Sequence, residues 1–230
     1  MKKKTKKILK ITLLPLLIIV LGNIIFYVYC FLTPKLEINK SQSYYLYDNN
    51  SKLVFGDNDW ISLDKISDDL INATISTEDK YFYKHIGFDY LRIGKAAITN
   101  IINRNKSEGA STITQQYARN LFLNFDKTWK RKIDEAILAG ELEVHYTKKE
   151  ILEGYLNTIN YGGVYGIESA SKYYFDKSAS NLSLAEAALL AGIPKSPNNY
   201  SPIKNYSKAK ERQKIVLTMM KKNKVISEEE

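Results

Sequence analysis

A mostly α-helical domain, entered through a small β-hairpin and carried on a single N-terminal transmembrane helix, is the fold class this sequence predicts. Three observations predict it. Residues 11–32 contain no charged side chain and are preceded by a cluster of lysines. From residue 63 onward, apolar positions recur at helical spacing with good cap residues in front of them. Turn signals separate these segments, and no repeat or low-complexity tract interrupts them.

Taken in order, residues 1–10 form a basic tail with Lys2, Lys3, Lys4, Lys6, Lys7 and Lys10. Such a tail holds the N-terminus in the cytoplasm and places everything after the span on the extracellular face of the cell membrane. Residues 11–32 are long enough to cross a bilayer as a helix, and membrane helices tolerate Pro15 and Gly22. A cleaved signal peptide is the competing reading. The run is too long for a typical signal core and no Ala-x-Ala-like site follows it. Tyr27, Tyr29 and Phe31 instead have the placement of an interfacial aromatic belt. The six tail lysines account for most of the formal charge of +9. The remainder is nearly balanced, which argues against nucleic acid as a partner. Cys30, the one cysteine, lies in the span, so the outer domain forms no internal disulfide. His85 and His145 lack zinc-ligand spacing, and no metal site is predicted.

Residues 33–43 read as a linker, and 44–230 as one folded domain. Residues 44–47 and 52–55 flank Asp48-Asn49-Asn50-Ser51, the pattern of a small hairpin. The spacing then predicts helices over 67–83, 89–103, 112–123, 128–145, 148–159, 166–175, 183–191 and 207–222.

Three blocks carry candidate chemistry. The first is Glu78-Asp79-Lys80-Tyr81-Phe82-Tyr83-Lys84-His85-Ile86-Gly87. A carboxylate desolvated beside aromatics suits proton transfer, and a continuous helix would stack Phe82 over Glu78. The bland alternative is an acidic pair facing solvent. The second is residues 109–120, Gly-Ala-Ser-Thr-Ile-Thr-Gln-Gln-Tyr-Ala-Arg-Asn. Ser111 or Thr112 is a good helix N-cap, and Thr112 with Gln115 has capping-box spacing. A helix start, the amides of Gln115 and Gln116, and the Arg119 guanidinium together suit a sugar-phosphate ligand. A capped helix with water-facing glutamines fits equally well. The third block places Lys127, Lys130, Arg131 and Lys132 at a helix start, where positive charge opposes the helix dipole. An anionic ligand explains that better than the helix does, although ordinary surface ion pairs with Glu135 are the default reading.

In this order the blocks resemble the glycosyltransferase domain of class A penicillin-binding proteins and monofunctional peptidoglycan glycosyltransferases, glycosyltransferase family 51. The pattern Glu-Asp-x-x-Phe-x-x-His-x-Gly is met at Glu78, Asp79, Phe82, His85 and Gly87. Gly-Gly-Ser-Thr-Ile-Thr-Gln-Gln-x-x-Lys-Asn is met at Gly109, from Ser111 to Gln116, and at Asn120; Arg-Lys-x-x-Glu is met at Arg131, Lys132 and Glu135. Residues 151–163 and 184–202 also look like the family.

The resemblance implies a lysozyme-like helical fold that polymerises lipid II into β-1,4 glycan strands with release of undecaprenyl pyrophosphate. It implies Glu78 as the general base and Glu135 as the second carboxylate, near the leaving group. Arg119, Lys127, Arg131 and Lys132 would clamp the pyrophosphate, with Asp79, Ser111, Thr112, Gln115 and Gln116 also on the substrate side. No cofactor is required, and any divalent cation would sit on the substrate's pyrophosphate. The implied partners are lipid II, the growing strand, the lipid bilayer and other cell-wall synthesis proteins. Ile98, Ile101 and Ile102 fall where the family has a membrane-associated segment, and a core position is the slightly stronger expectation for each.

Two other functions compete. A lysozyme-like hydrolase or lytic transglycosylase needs no pyrophosphate clamp, and a catalytically inactive wall-synthesis scaffold need not keep both Glu78 and Glu135. Ser62-Leu63-Asp64-Lys65 and Ser201-Pro202-Ile203-Lys204 fit Ser-x-x-Lys without an accompanying Lys-Thr-Gly, so penicillin binding is not expected.

The chain departs from the family at Ala110, which replaces a glycine, and at Arg119 and Lys127, which exchange the usual lysine and arginine. Total charge is kept while the bidentate fork moves. The double variant Arg119→Lys with Lys127→Arg is therefore expected to retain polymerisation of labelled lipid II. Loss of polymer in that variant would show that the exchange is not equivalent.

Overall fold

The computed structural model describes residues 2–38, 46–47, 53–55, 60–103, 109–123 and 126–229, with backbone alone for 2–16, 46–47 and 53–55. Its helices are α1 (Lys2–Leu32), α2 (Asp68–Glu78), α3 (Tyr90–Ile102), α4 (Ile113–Phe122) and α5 (Trp129–His145). They continue with α6 (Lys148–Thr158), α7 (Ile167–Phe175), α8 (Leu184–Gly192), α9 (Pro197–Tyr200) and α10 (Tyr206–Lys222). Strands β1 (Leu46–Tyr47) and β2 (Leu53–Phe55) pair antiparallel. The rest of the expected hairpin, including its turn, lies outside the described residues.

Local chemistry fixes most helix starts. Thr112 caps α4 and Thr147 caps α6, each in a reciprocal capping box with Gln115 or Glu150 three residues on. Ser183 and Glu186 do the same for α8. Thr128 caps α5 by accepting from the Arg131 amide at 3.2 Å.

Packing places α8 at the centre, between α2 and α10, while α4 lies against both α5 and α6. Alanines at 187, 188 and 191 let neighbouring backbones come close to α8. A buried cluster including Phe82, Ile113, Tyr117, Leu142, Leu152, Tyr155 and Leu156 joins the α4–α6 layer. Gly154 on α6 is required there, because a Cβ would overlap the Tyr117 hydroxyl and ring.

Helix α1 docks on α5. A Cβ on Gly140 would come within 2.6 Å of the Phe26 ring and 2.8 Å of Cys30 Sγ, so this glycine opens the seat for both. His145 Nε2 lies 3.1 Å from the Cys30 carbonyl, and the Tyr27 hydroxyl donates to the Ile86 carbonyl.

Several expectations change. The helix expected over 67–83 ends at Glu78, because Asp79 leaves helical geometry (φ −158°, ψ 76°) and turns its carboxylate onto other elements. Phe82 then sits in a separate 3₁₀ turn, Phe82–Lys84, rather than stacked one turn after Glu78. Helix α1 runs unbroken from Lys2 to Leu32, so the lysines of the basic tail lie on the same helix as the expected span. Ile98, Ile101 and Ile102 are not core residues: they are 60%, 77% and 73% exposed on α3. Finally, among the described residues no helix is long and apolar enough to cross a membrane. The side chains of residues 11–16 of the expected span are not among those described.

Gly154→Ala is expected to destabilise the domain by about 1–3 kcal/mol through overpacking against Tyr117, read as a lowered Tm. The Tyr117 hydroxyl is itself buried without a hydrogen-bond partner. Tyr117→Phe should therefore be neutral or stabilising in the same melt.

Candidate active site

The first carboxylate, Glu78, stands at the C-terminus of α2 and is only 7% exposed. Its Oε2 accepts from Gln116 Nε2 of α4 at 3.0 Å. The Gln116 amide is in turn oriented by Tyr155 of α6, whose hydroxyl donates to Gln116 Oε1 at 3.3 Å. Burial, and next the nearby Glu78, push the Tyr155 phenol well above its usual range, so it remains a donor. With its carbonyl oxygen so engaged, Gln116 can only donate toward Glu78. Glu78 Oε1 is buried with no hydrogen-bond partner, and the nearest cation is Arg212 Nη2 of α10 at 3.7 Å. Arg92 of α3 donates to the Glu78 backbone carbonyl and, at 3.4 Å, to that of Gly109.

The adjacent Asp79 has a different role. It is fully buried, and both oxygens are engaged: His85 Nε2 lies 2.9 and 3.0 Å from them, and the Ile113 amide donates to Oδ2 at 3.0 Å. A carboxylate on the first free amide of α4 satisfies an orphan donor and complements the helix dipole. Asp79, expected as a substrate contact, thus has both oxygens engaged within the protein and caps α4. Thr112 and Gln115 are similarly buried: the Thr112 hydroxyl donates to the Gly87 carbonyl at 2.7 Å, and Gln115 closes the capping box. These three residues build the helix start and leave Gln116 to face Glu78.

The second carboxylate, Glu135 on α5, is fully buried among cations. Arg131 Nη1 donates to its Oε2 at 2.5 Å, Lys132 Nζ donates to its Oε1, and Arg119 Nη1 of α4 lies 3.8 Å from Oε2. Lys132 also reaches Ser111 Oγ at 3.0 Å, tying α5 to the segment before α4. One anion thus faces three cations, whose side chains are 24% (Arg119), 15% (Arg131) and 39% (Lys132) exposed. Net positive charge is left over on this face. Lys127 is exposed just before α5, and Lys130 pairs with Asp134 at 2.8 Å on the outside. Among the described residues no group of His, Cys, Asp and Glu is arranged to hold a metal ion.

Among the residues singled out from the sequence, the structure brings together Glu78 with Gln116, and Glu135 with Arg119, Arg131 and Lys132. Sequence reasoning missed Arg92, Tyr155 and Arg212. The available signal for Arg212 was an arginine in an otherwise lysine-rich helix, where only a directed or buried cation needs the fork.

Because Asp79 joins α2, the 79–87 turn and α4, Asp79→Ala is expected to cost about 1–3 kcal/mol, seen in a denaturant melt. Asp79→Asn, which keeps an acceptor for Ile113, should cost less. Equal stability of Asp79→Ala and the parent would remove this cap from the account.

Comparisons with known proteins show the family of the chain. The family model described as Transglycosylase matches residues 51–221. Penicillin-binding protein 2D of Bacillus subtilis (strain 168) is 57% identical over 170 residues, which is 74% of this chain and 25% of that protein. Penicillin-binding protein 1F of the same organism is 47% identical over 171 residues, covering 74% and 24%. Penicillin-binding protein 1A of Neisseria gonorrhoeae is 46% identical over 159 residues, covering 69% and 20%. The crystal structure of penicillin-binding protein 1A from Haemophilus influenzae aligns with TM-score 0.45 at 23% identity, over 84% of this chain and 20% of that one. The chain spans about a quarter of the length of the first two relatives. With the family model covering most of its length, the chain belongs to the transglycosylase family found in class A penicillin-binding proteins.

Proposed function

We propose that this protein is a membrane-anchored peptidoglycan glycosyltransferase that polymerises lipid II, with residues 44–230 as the catalytic domain and 11–32 as the anchor. The observation that carries this reading is the pairing of two unlike carboxylates. Glu78 is buried with one oxygen held by Gln116 and the other without a hydrogen-bond partner. Glu135 is surrounded by an excess of cations.

In the reaction, Glu78 Oε1 takes the proton from the 4-hydroxyl of the acceptor GlcNAc. That hydroxyl oxygen forms a bond to the anomeric carbon of the donor sugar while the bond from that carbon to the pyrophosphate oxygen breaks. Attack from the far side inverts an α linkage to β, the outcome of a carboxylate-activated nucleophile. Negative charge develops on the departing undecaprenyl pyrophosphate, and Arg119, Arg131 and Lys132 offer it more positive charge than Glu135 neutralises. Lys127 supplements them from the exposed segment before α5. Glu135 keeps the cation forks oriented in the absence of substrate. A hydrolase has no developing pyrophosphate charge to meet, and the surplus cations disfavour that reading. An inactive scaffold has no use for a buried carboxylate with an open oxygen.

Anchoring is supported by exposed apolar surface. The described turns of α1 expose Leu17, Ile18, Ile19, Ile24, Ile25 and Phe31, and α3 exposes Leu91, Ile98, Ile101 and Ile102. So many exposed apolar side chains are unusual on a protein bathed in water and suit a domain resting on the bilayer that holds its substrate.

In detergent with labelled lipid II, the parent is expected to form polymer, and Glu78→Gln to lose at least about 10²-fold of that rate. Equal rates would remove Glu78 as the base. Shortening of preformed glycan without polymerisation would favour the hydrolase.

A further inference from the structure

From the surroundings of Glu78 we infer that Arg212, on the last helix, is a positioning residue for the base, and that Glu78 Oε1 is the oxygen that accepts the proton. The inference rests on the glycosyltransferase reading above and goes beyond it in naming the oxygen and what prepares it.

The geometry around Glu78 is asymmetric. Oε2 is committed to Gln116, whose own carbonyl is held by Tyr155. Oε1 is buried and accepts no hydrogen bond. A buried carboxylate oxygen without a donor is costly unless it awaits one. Arg212 Nη2 stands 3.7 Å away, inside ion-pair range yet beyond hydrogen-bonding distance. At that separation the guanidinium favours the ionised carboxylate by charge without consuming the lone pair that must receive a proton.

The other groups around Glu78 are already assigned. Gln116 on α4 is neutral, and Arg119 of the same helix is paired with Glu135. Tyr155 on α6 is turned to Gln116, Arg92 on α3 to the Glu78 main-chain carbonyl, and Asp79 to His85 and Ile113. Among them, Arg212 is the cation directed at the open oxygen.

Arg212 is also built into place. It is 9% exposed, its Nε is buried without a partner, and its guanidinium carbon lies 5.9 Å from the Tyr200 ring centroid. Its stem passes over Gly192, where a Cβ would come within 2.9 Å of Arg212 Cγ. The next residue, Gln213, donates to the Ala185 carbonyl of α8 at 2.5 Å, which fixes α10 in rotation. A side chain needed only for solubility or for covering the core would not require a glycine beneath its stem and a ring beside its head.

The test compares the full chain in detergent with Arg212→Gln, Arg212→Lys and Gly192→Ala, using labelled lipid II. Thermal melts first establish which variants are folded. For Arg212→Gln we expect kcat to fall about tenfold or more with KM changed less than about threefold, since substrate contacts are untouched. Arg212→Lys, which keeps a cation at the site, should recover part of the lost kcat. Gly192→Ala, which keeps the cation but displaces it, should lower kcat even if Arg212→Gln does not fold. Parental kcat in a folded Arg212→Gln protein or in Gly192→Ala, or an Arg212→Lys protein no faster than Arg212→Gln, overturns the inference and leaves the glycosyltransferase reading standing. Absence of polymer from the parent overturns both.

Discussion

The site depends on one buried carboxylate whose two oxygens are both occupied within the protein. Asp79 ends α2, holds His85 across the following turn, and accepts the first free amide of α4. Because Glu78 is the preceding residue, the same contact that stops α2 fixes the distance between Glu78 and the helix that presents Gln116. Without it the chain would be free to continue as a helix, as its residue pattern suggests, and Glu78 would rotate away from α4. An orphan amide at a buried helix start is expensive. Satisfying it from α2 converts that cost into a rigid link between two elements.

The two carboxylates of the site show how one charge type serves two purposes. Glu135 has three cations around it and no exposure. It works as a template, holding α4 and α5 together and aiming their forks. Glu78 has a neutral donor on one oxygen and a more distant cation near the other. Uncompensated burial of a charge is costly, so the two environments divide the work. Full pairing suits a group that organises its neighbours, and partial pairing leaves one carboxylate oxygen of Glu78 open.

Much of this was legible in the sequence because helix starts are local chemistry. Thr112 with Gln115, Thr147 with Glu150 and Ser183 with Glu186 specify their helices within four residues, so the expected starts of those helices lie close to the observed ones. The i, i+4 spacing of Arg131 and Glu135 likewise foretold their contact. What remained hidden was set by distant partners. The break after Glu78 comes from Ile113, and the ion-pair partner of Arg212 comes from α2. The short α9 has too few residues to show a period. Asp79 was expected on the substrate side because, in a motif, a residue that builds a site is indistinguishable from one that touches its ligand. Only burial and occupied oxygens separate the two.

The position of α1 reaches the site through adjacent carbonyls. Tyr27 donates to Ile86, and Tyr90, at the start of α3, donates to Asn23 of α1. The next carbonyl, that of Gly87, accepts the Thr112 hydroxyl that caps α4. Gly87 has φ +75°, a conformation a side chain would strain, and its Cβ position faces Glu143 at 3.2 Å. Glu143 is itself bonded to Thr114 of α4 and Lys148 of α6. The turn from 86 to 90 is therefore clamped between α1 on one side and the start of α4 on the other. A shift of α1 against α5 would be felt first at this turn, and next at the cap that fixes Gln116 opposite Glu78.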